Sequence, residues 1–106
     1  MSGNKNDIAS AHLNNRVGPV LRQGALADAV VEAAEADNPD KVITVDDKLA
    51  YVRISTEGEL IVRRATIEEM LGKPFRMSEL EVELSSFAGR IETTSDQVRF
   101  YFEKKL

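Results

Sequence analysis

Short apolar runs separated by turn-forming residues most constrain what this chain can fold into. Each run is four to six residues long, rich in β-branched or aromatic side chains, and bounded by Gly, Pro, Asn, Asp or Ser, which is typical of β-strands. Several connections are too short for the crossovers that parallel strands need, so the pattern predicts antiparallel pairing. The predicted strands are residues 17–22, 42–45, 51–54, 60–63, 89–92 and 97–102.

One segment has a helical period instead. Its apolar residues fall at i, i+3, i+4, i+7 and i+8, on one face of a helix that begins after Gly24. The residue before a proline is disfavoured in the α conformation, so this helix ends at Asn38 and Pro39. The apolar face consists of Leu26, Ala29, Val30, Ala33 and Ala34, whose small side chains allow close packing on a sheet.

A capping signal indicates a second, shorter helix. Thr66 with Glu69 three residues later is a capping box, which predicts a helix over residues 67–71. Gly72 follows at the position where glycine commonly ends a helix.

A segment further along fits two periods. Ser78 with Glu81 is a second candidate capping box. Leu80, Val82 and Leu84 alternate as in a strand, while a helix would also place Leu80 and Leu84 on one face. We predict one helical turn near Ser78, followed by a strand.

Individual residues predict how the strands are placed. Pro19 has no backbone N–H, which confines its strand to a sheet edge or a strand start. Residues 56–58 predict a hairpin turn between the strands on either side, and residues 46–48 break the strand that ends at Val45. Residues 94–96 form the turn of a last hairpin. Its inward face is predicted to be Val98, Phe100 and Phe102.

These elements predict a single small α+β domain, in which one longer helix and one or two short helices pack on antiparallel strands. Residues 1–13 are polar with no sustained period, which predicts a flexible N-terminal tail, and residues 14–106 form the domain. No apolar run approaches the roughly 20 residues of a membrane span, and no signal-peptide pattern opens the chain. We therefore expect a cytoplasmic protein without membrane contact.

The chain has few of the residue types that catalysis or metal binding usually requires. It contains one histidine and no cysteine, whereas zinc and iron–sulfur sites need cysteines or several histidines, and nucleophilic triads need a base beside Ser or Cys. His12 lies in the predicted tail, where nothing holds a general base in place. Asp46 and Asp47 point apart if they are extended, which favours a turn over a carboxylate pair. We expect no catalytic residue, metal or cofactor; an enzyme that uses His12 or the aspartates is the rival hypothesis.

Charge argues against a nucleic-acid partner. The net charge of −4 opposes attraction to phosphates, and Lys and Arg are scattered rather than arranged in a stripe. Arg63 and Arg64, with Lys73 and Arg76, could bind an anion, but a solvated face that exchanges charge with nearby glutamates is favoured. The chain is thus expected to act through contact with another protein.

Residues 85–90, Ser-Ser-Phe-Ala-Gly-Arg, are mostly small or polar in a strand-rich region. A glycine inside a strand weakens it unless the backbone needs a bulge or another surface comes close. Two interpretations stay open, a structural bulge and a flat patch on which a partner docks.

Separate blocks of the chain form a distinctive ordered set. They are Asn14-Asn15-x-Val17-Gly18-Pro19-Val20-x-Arg22, Asp37-Asn38-Pro39, Tyr51-Val52-Arg53-Ile54, Glu57-Gly58-Glu59-Leu60, Leu71-Gly72-Lys73-Pro74-Phe75, Ser85-Ser86-Phe87-Ala88-Gly89-Arg90 and Gln97-Val98-Arg99-Phe100-Tyr101-Phe102. The set resembles the effector, coupling or regulatory proteins of bacterial diiron multicomponent monooxygenases. The similarity is greatest to the toluene and aromatic-hydrocarbon branch.

This resemblance implies a small cofactor-free α+β protein that docks on the diiron hydroxylase component. It would couple electron delivery and oxygen activation to hydroxylation, without being an enzyme itself. In the aromatic branch, a Rieske-type ferredoxin and a flavin reductase supply the electrons. A generic adaptor for an unrelated partner is the alternative.

The resemblance also implies a contact segment. In the methane branch, the strand that matches residues 84–90 reads Val-Ser-Ser-Thr-x-Gly-Arg and lies against the hydroxylase. Here Phe87 replaces the threonine and Glu83 an uncharged residue, so details of gating do not carry over. The expected partner-contact residues are Ser85, Ser86, Phe87, Ala88, Gly89, Asn15 and Arg16.

Overall fold

The computed structural model describes residues 15–103, so the predicted tail and His12 lie outside the described part. In chain order the elements are β1 (Arg16–Arg22), α1 (Ala25–Asp37), β2 (Thr44–Asp47), β3 (Tyr51–Glu57), β4 (Glu59–Arg63), α2 (Arg64–Leu71), α3 (Met77–Glu83), β5 (Leu84–Ala88), β6 (Arg90–Thr93) and β7 (Gln97–Tyr101). No helix among these is long and apolar enough to cross a membrane.

The strands form two antiparallel sheets. The larger has the order β2-β3-β1-β5, and the smaller has the order β4-β7-β6. The buried core draws on both sheets and on α1, with Leu21, Ile54 and Phe100 among its largest fully buried side chains. The predicted α+β class is confirmed.

Helix α1 follows the predicted period closely. Ala29, Val30, Ala33 and Ala34 are buried, while Leu26 is half-buried at the margin of the core. Asn38 follows the helix, as the proline after it requires, and its backbone N–H donates to the carbonyl of Ala34.

Two predictions about strand placement are wrong. β1 is an interior strand with neighbours on both sides, although Pro19 predicted an edge or a strand start. In the ladder with β3, Val17 pairs with Thr56 and Val20 pairs with Arg53. Pro19 lies between these two pairs, where no β3 partner is needed for its missing N–H. Residues 56–58 are not a hairpin turn either, because β3 belongs to the larger sheet and β4 to the smaller one.

Several boundaries also differ from prediction. α2 begins at Arg64, so Thr66 lies inside the helix and does not cap it; its hydroxyl donates to Asp37 Oδ1 at 2.8 Å. α3 is a full helix over Met77–Glu83, with Glu79 Oε2 accepting the backbone N–H of Arg76 at 2.8 Å. The predicted strand therefore begins only at Leu84, and Leu80 and Val82, which also fitted a strand alternation, are helical.

The remaining differences lie at strand ends. β2 is Thr44–Asp47, so Asp46 and Asp47 extend the strand that they were predicted to break. The last hairpin forms around residues 94–96 as predicted, with Val98 and Phe100 buried. Phe102 lies beyond β7 and is exposed, so it does not belong to the inward face.

Candidate docking surface

β5 is an edge strand of the larger sheet. In the described residues it pairs with β1 on one side, which leaves backbone N–H and C=O groups directed outward on the other. Ser85, Ser86 and Phe87 are exposed and Ala88 is half-buried. Residues 85–88 thus form a short, accessible strand edge with small side chains around one aromatic ring; we call this the β5 edge.

A bulge shapes the β5 edge. The pairing with β1 joins Val20 to Ser86 and Leu21 to Leu84, so Ser85 is an extra residue on β5. Bulges bend a strand and re-aim its side chains. A bulge, one of the two interpretations left open for residues 85–90, is thus present, but at Ser85 and not at the glycine, and it is compatible with an accessible surface.

Gly89 is required by the fold itself. Its φ is +89°, and a Cβ there would lie 2.6 Å from Val17 Cγ1 and 2.7 Å from the carbonyl oxygen of Tyr101. The chain turns at this residue from β5 into β6 of the other sheet. Gly89 is thus explained by close packing, whatever else contacts it.

The Phe87 side chain is partly packed against the core and partly exposed to solvent. Its ring centroid lies 6.2 Å from that of the buried Phe100, with the ring planes tilted by 51°, a favourable aromatic arrangement. The side chain is still 42% exposed. One face of the ring therefore covers the core, while the other remains available.

Arg16 is turned away from β5. Its Nη2 donates to Thr44 Oγ1 at 2.6 Å and to the Ser55 carbonyl at 3.1 Å, and its Nε donates to Ser55 Oγ at 3.2 Å. The guanidinium thereby ties β1 to β2 across β3, a role that the sequence did not reveal. The backbone carbonyl of Asn15 accepts the N–H of Gly58 at 2.9 Å. Both residues are half-buried at the start of β1, so contacts from their backbone and stems would be at the rim of the β5 edge.

The outward face of the larger sheet extends the accessible surface. Ser86 lies opposite Val20, Val20 opposite Arg53 and Arg53 opposite Asp46, which makes one row across all four strands. Directly opposed residues share a face of the sheet. The strand order places Arg53 and Ser86 on one face, which the separate strand patterns in the sequence could not show.

The residues considered for chemistry have structural partners. Asp47 Oδ1 accepts the Leu49 N–H at 2.9 Å, and its Oδ2 accepts Gln23 Nε2 at 3.1 Å. Asp46 lies 3.3 Å from Lys48 Nζ. No group of three or more His, Cys, Asp or Glu within residues 15–103 is arranged to hold a metal ion. These aspartates lie at the end of β2 and stabilise the β2–β3 hairpin, although they were predicted to break the strand.

In the group of basic residues considered as an anion site, Arg64 has acidic partners. Arg64 contacts Glu68 at 2.9 Å and Asp96 at 3.7 Å, and its Nε donates to the Ser95 carbonyl at 3.1 Å. These pairs fit the solvated, charge-exchanging face that the sequence favoured over an anion site.

Within residues 15–103, the two side chains with shifted pKa values, Glu68 and Arg99, lie outside the β5 edge. The N–H of Phe75, aided by Arg64, holds the pKa of the Glu68 carboxyl below its ordinary value. Hydrogen bonds and charge from Glu59, with a smaller effect of Glu92, raise the pKa of Arg99, whose guanidinium also lies 4.0 Å from the Tyr101 ring centroid. Both shifts favour the ordinary charged forms of these side chains and so stabilise their surface pairs.

A comparison with protein-family models decides the class. The MmoB/DmpM family model matches residues 15–101, which is most of the chain. The chain belongs to the MmoB/DmpM family.

Named relatives agree with this family. The chain is 45% identical over 89 residues to the effector subunit of the alkene monooxygenase system of Xanthobacter autotrophicus, covering 84% of this chain and 88% of that one. It is 38% identical over 76 residues to the stimulatory component DmpM of phenol 2-monooxygenase from a Pseudomonas species, covering 72% and 80%. It is 34% identical over 87 residues to methane monooxygenase regulatory protein B of Methylosinus trichosporium, covering 77% and 62%.

Solved structures show the same fold. A chain from the phenol hydroxylase–regulatory protein complex superposes with a TM-score of 0.72 at 26% identity, covering 83% of this chain and 99% of that one. The methane monooxygenase regulatory protein B gives a TM-score of 0.64 at 26% identity, covering 84% and 66%. The chain is thus a non-catalytic regulatory subunit of the kind found in multicomponent monooxygenases, which confirms the predicted class.

Proposed function

We propose that this MmoB/DmpM chain binds the diiron hydroxylase of its monooxygenase through the β5 edge and couples electron delivery and oxygen activation to hydroxylation. The observation that carries the proposal is an accessible edge strand, with exposed Ser85 and Ser86, on a member of a regulatory family. A similar chain occurs in a complex with phenol hydroxylase, which supports a hydroxylase as the partner.

The proposed contact residues would contribute to the interface in different ways. Ser85 and Ser86 are small and exposed, so a partner backbone can approach them closely, and Phe87 offers the free face of its ring. Gly89 forms the tight turn at the end of β5 and so sets the direction in which the strand ends. The other proposed contacts, at the rim or with partly exposed side chains, are Ala88, Asn15 and Arg16.

A regulator of this kind acts through differential affinity. A bound protein shifts its partner's equilibrium only if it binds one state better than the other. A tenfold shift needs about 1.4 kcal/mol of such difference, which a few well-packed contacts supply. The hydroxylase would carry the diiron chemistry, with a Rieske-type ferredoxin and a flavin reductase delivering the electrons. The effector needs no cofactor for this role.

The substrate class is the finer part of the proposal. The sequence blocks predicted a toluene or other aromatic system, whereas identity is 45% to the alkene effector and 38% to the phenol one. These identities favour an alkene-type hydroxylase over the aromatic type. Titrating the chain into hydroxylases of both types, and comparing the saturating stimulation of each, decides between them.

Ser86→Tyr tests the docking face. Ser86 is exposed on the outward face, so the substitution should change the free energy of unfolding by less than about 0.5 kcal/mol. A tyrosine there would prevent close approach of the hydroxylase. We expect product formed per NADH consumed to fall toward the value without effector, and the concentration for half-maximal stimulation to rise about tenfold or more.

Ser95→Tyr is the matched control for this test. Ser95 is exposed in the turn between β6 and β7, which are strands of the smaller sheet, at the end of β6 opposite to Gly89. This variant should stimulate normally. Normal stimulation by Ser86→Tyr would move the interface elsewhere, and indifference of the hydroxylase to the wild-type chain would contradict the proposed function as a whole.

A further inference from the structure

Leu49 occupies an unusual position at the tip of the β2–β3 hairpin. The N–H of Ala50 donates to the Lys48 carbonyl at 2.9 Å, which closes a three-residue turn with Leu49 at its centre. Leu49 has a φ of +70°, so this is the strained form of the γ-turn. Its side chain is 88% exposed.

Folding alone does not favour leucine at this position. Positive φ is tolerated by Gly, Asn and Asp, whereas a bulky side chain there is strained. An exposed leucine by itself needs no explanation. An exposed leucine held in a strained turn does, because the strain persists without any compensating burial within residues 15–103.

The turn is held in place from several sides. The Lys48 N–H donates to the Tyr51 carbonyl at 2.8 Å, and the Leu49 N–H donates to Asp47 Oδ1 at 2.9 Å. From outside the hairpin, the Gln23 N–H donates to the Ala50 carbonyl at 2.9 Å. The apolar side chain is thus presented in one orientation, which lowers the entropic cost of inserting it into a pocket.

The tip adjoins the docking surface proposed above. Arg22 pairs with Tyr51 and Leu21 with Leu84, so the hairpin tip lies at the end of the sheet where β5 begins. β2 and β5 are separated by β3 and β1, which amounts to about 14 Å at the usual strand spacing. A standard interface of roughly 800 Å² a side, about 28 Å across, reaches from the β5 edge to Leu49.

We propose that Leu49 is an anchor that inserts into an apolar pocket on the surface of the hydroxylase. This inference rests on the proposed function and adds a second contact point to it. Its chemistry is that of an interface anchor, in which a preorganised apolar side chain fills a concave pocket while polar groups surround it. Lys48 and Asp47 supply that polar surround on the effector.

Leu49→Asn tests the anchor directly. Asparagine accepts positive φ, so the variant should be at least as stable as the wild type, yet it removes the apolar side chain. We expect its Kd for the hydroxylase, measured by calorimetry or fluorescence anisotropy, to rise about tenfold or more. Leu49→Gly is a second variant with the same expectation, should asparagine form new polar contacts.

Two controls accompany these variants. Leu49→Met keeps an apolar side chain and should remain within about threefold of the wild-type Kd. Val82 is also apolar, 77% exposed, and beside Leu26 and Phe75 in a groove between helices. Val82→Ser removes an apolar side chain of similar exposure from the helix that precedes β5, where the backbone is not strained, and should leave the Kd within about twofold.

The outcomes separate the anchor from the docking proposal. Wild-type Kd values for both Leu49→Asn and Leu49→Gly overturn the anchor, even if Ser86→Tyr fails to stimulate. A rise for Val82→Ser equal to that for Leu49→Asn also overturns it, because nonspecific apolar contact would then explain both. If the wild-type chain does not bind the hydroxylase, the proposed function fails and the anchor fails with it.

Discussion

Glu68 connects helix α2 to the loop that follows it. Its Oε2 accepts the backbone N–H of Phe75 at 2.9 Å, and its Oε1 lies 2.9 Å from Arg64 Nη1. Both contacts favour the carboxylate, and the N–H of Phe75 is the main cause of a pKa below the ordinary 4.5. One side chain therefore fixes the loop that brings Phe75 into the core.

This arrangement predicts a pH dependence of stability. A carboxyl whose pKa is lowered by folding stabilises the protein above its ordinary pKa, and that contribution is lost as the pH falls through the lower folded value. Glu68→Gln should therefore lower the Tm at pH 7, and the difference from wild type should shrink as the pH falls below 4.5. Thermal melts from pH 7 to about pH 3 measure this. The neighbouring Glu69→Gln is the control, and a difference for Glu68→Gln that is constant over the range would contradict the role of its charge.

At the scale of elements, Asn38 joins the end of helix α1 to strand β4. Its Nδ2 donates to the carbonyls of Ala34 and Ile61, both at 2.7 Å, and its Oδ1 accepts the Ile61 N–H at 3.1 Å. The side chain is only 9% exposed. The sequence assigned Asn38 to helix termination alone, because a contact 23 residues away along the chain leaves no local pattern.

Removing this amide should be costly. Asn38→Ala leaves the N–H and C=O of Ile61 without their partner in a partly buried setting, so we expect a loss of about 2–3 kcal/mol in the free energy of unfolding. Asn38→Asp keeps one acceptor and loses both donated bonds, so it should not restore stability. Chemical denaturation measures both variants. A loss below about 0.5 kcal/mol for Asn38→Ala would show that water replaces the amide.

Local patterns predicted the elements better than their arrangement. Helix α1 and the last hairpin were predicted correctly because a periodic apolar face and a short turn are local features. Sheet membership is not local. Gly58 looked like a hairpin glycine because two alternating runs flank it, yet the runs pair with different strands.

For the candidate surface too, the sequence predicted local features but not the contacts between strands. The exposure of Ser85 and Ser86 fitted the small, polar pattern of that segment. The side-chain contacts of Arg16 with Thr44 and Ser55 depend on a strand order that no local signal contains. The sequence did not indicate Leu49 as a contact residue, because its distinguishing property is a positive φ. Leucine rarely adopts positive φ, so the residue type gives no signal of it.

At the scale of the whole molecule, the chain passes between the two sheets at single glycines in two places. Gly58 connects β3 to β4, and Gly89 connects β5 to β6, with φ values of +82° and +89°. Their surroundings differ. A Cβ on Gly58 would meet only Lys41 Nζ, at 3.7 Å, while a Cβ on Gly89 would clash with Val17 and with the backbone of Tyr101.

These glycines form a matched pair for substitution. Gly58→Ala should cost about 1–2 kcal/mol of unfolding free energy, from backbone strain alone. Gly89→Ala adds overpacking and should cost about 1–3 kcal/mol more. Urea denaturation of the two variants measures the difference. Equal losses would show that the Gly89 corner can relax around a methyl group.

The one-residue corners have a mechanical consequence for a regulatory subunit. With no linker between β5 and β6, a displacement of β5 would pass within one residue to the second sheet, so we expect the two sheets to move as a unit. A body joined in this way would present a fixed shape, so under the proposed function the deformation that accompanies activation would take place in the hydroxylase.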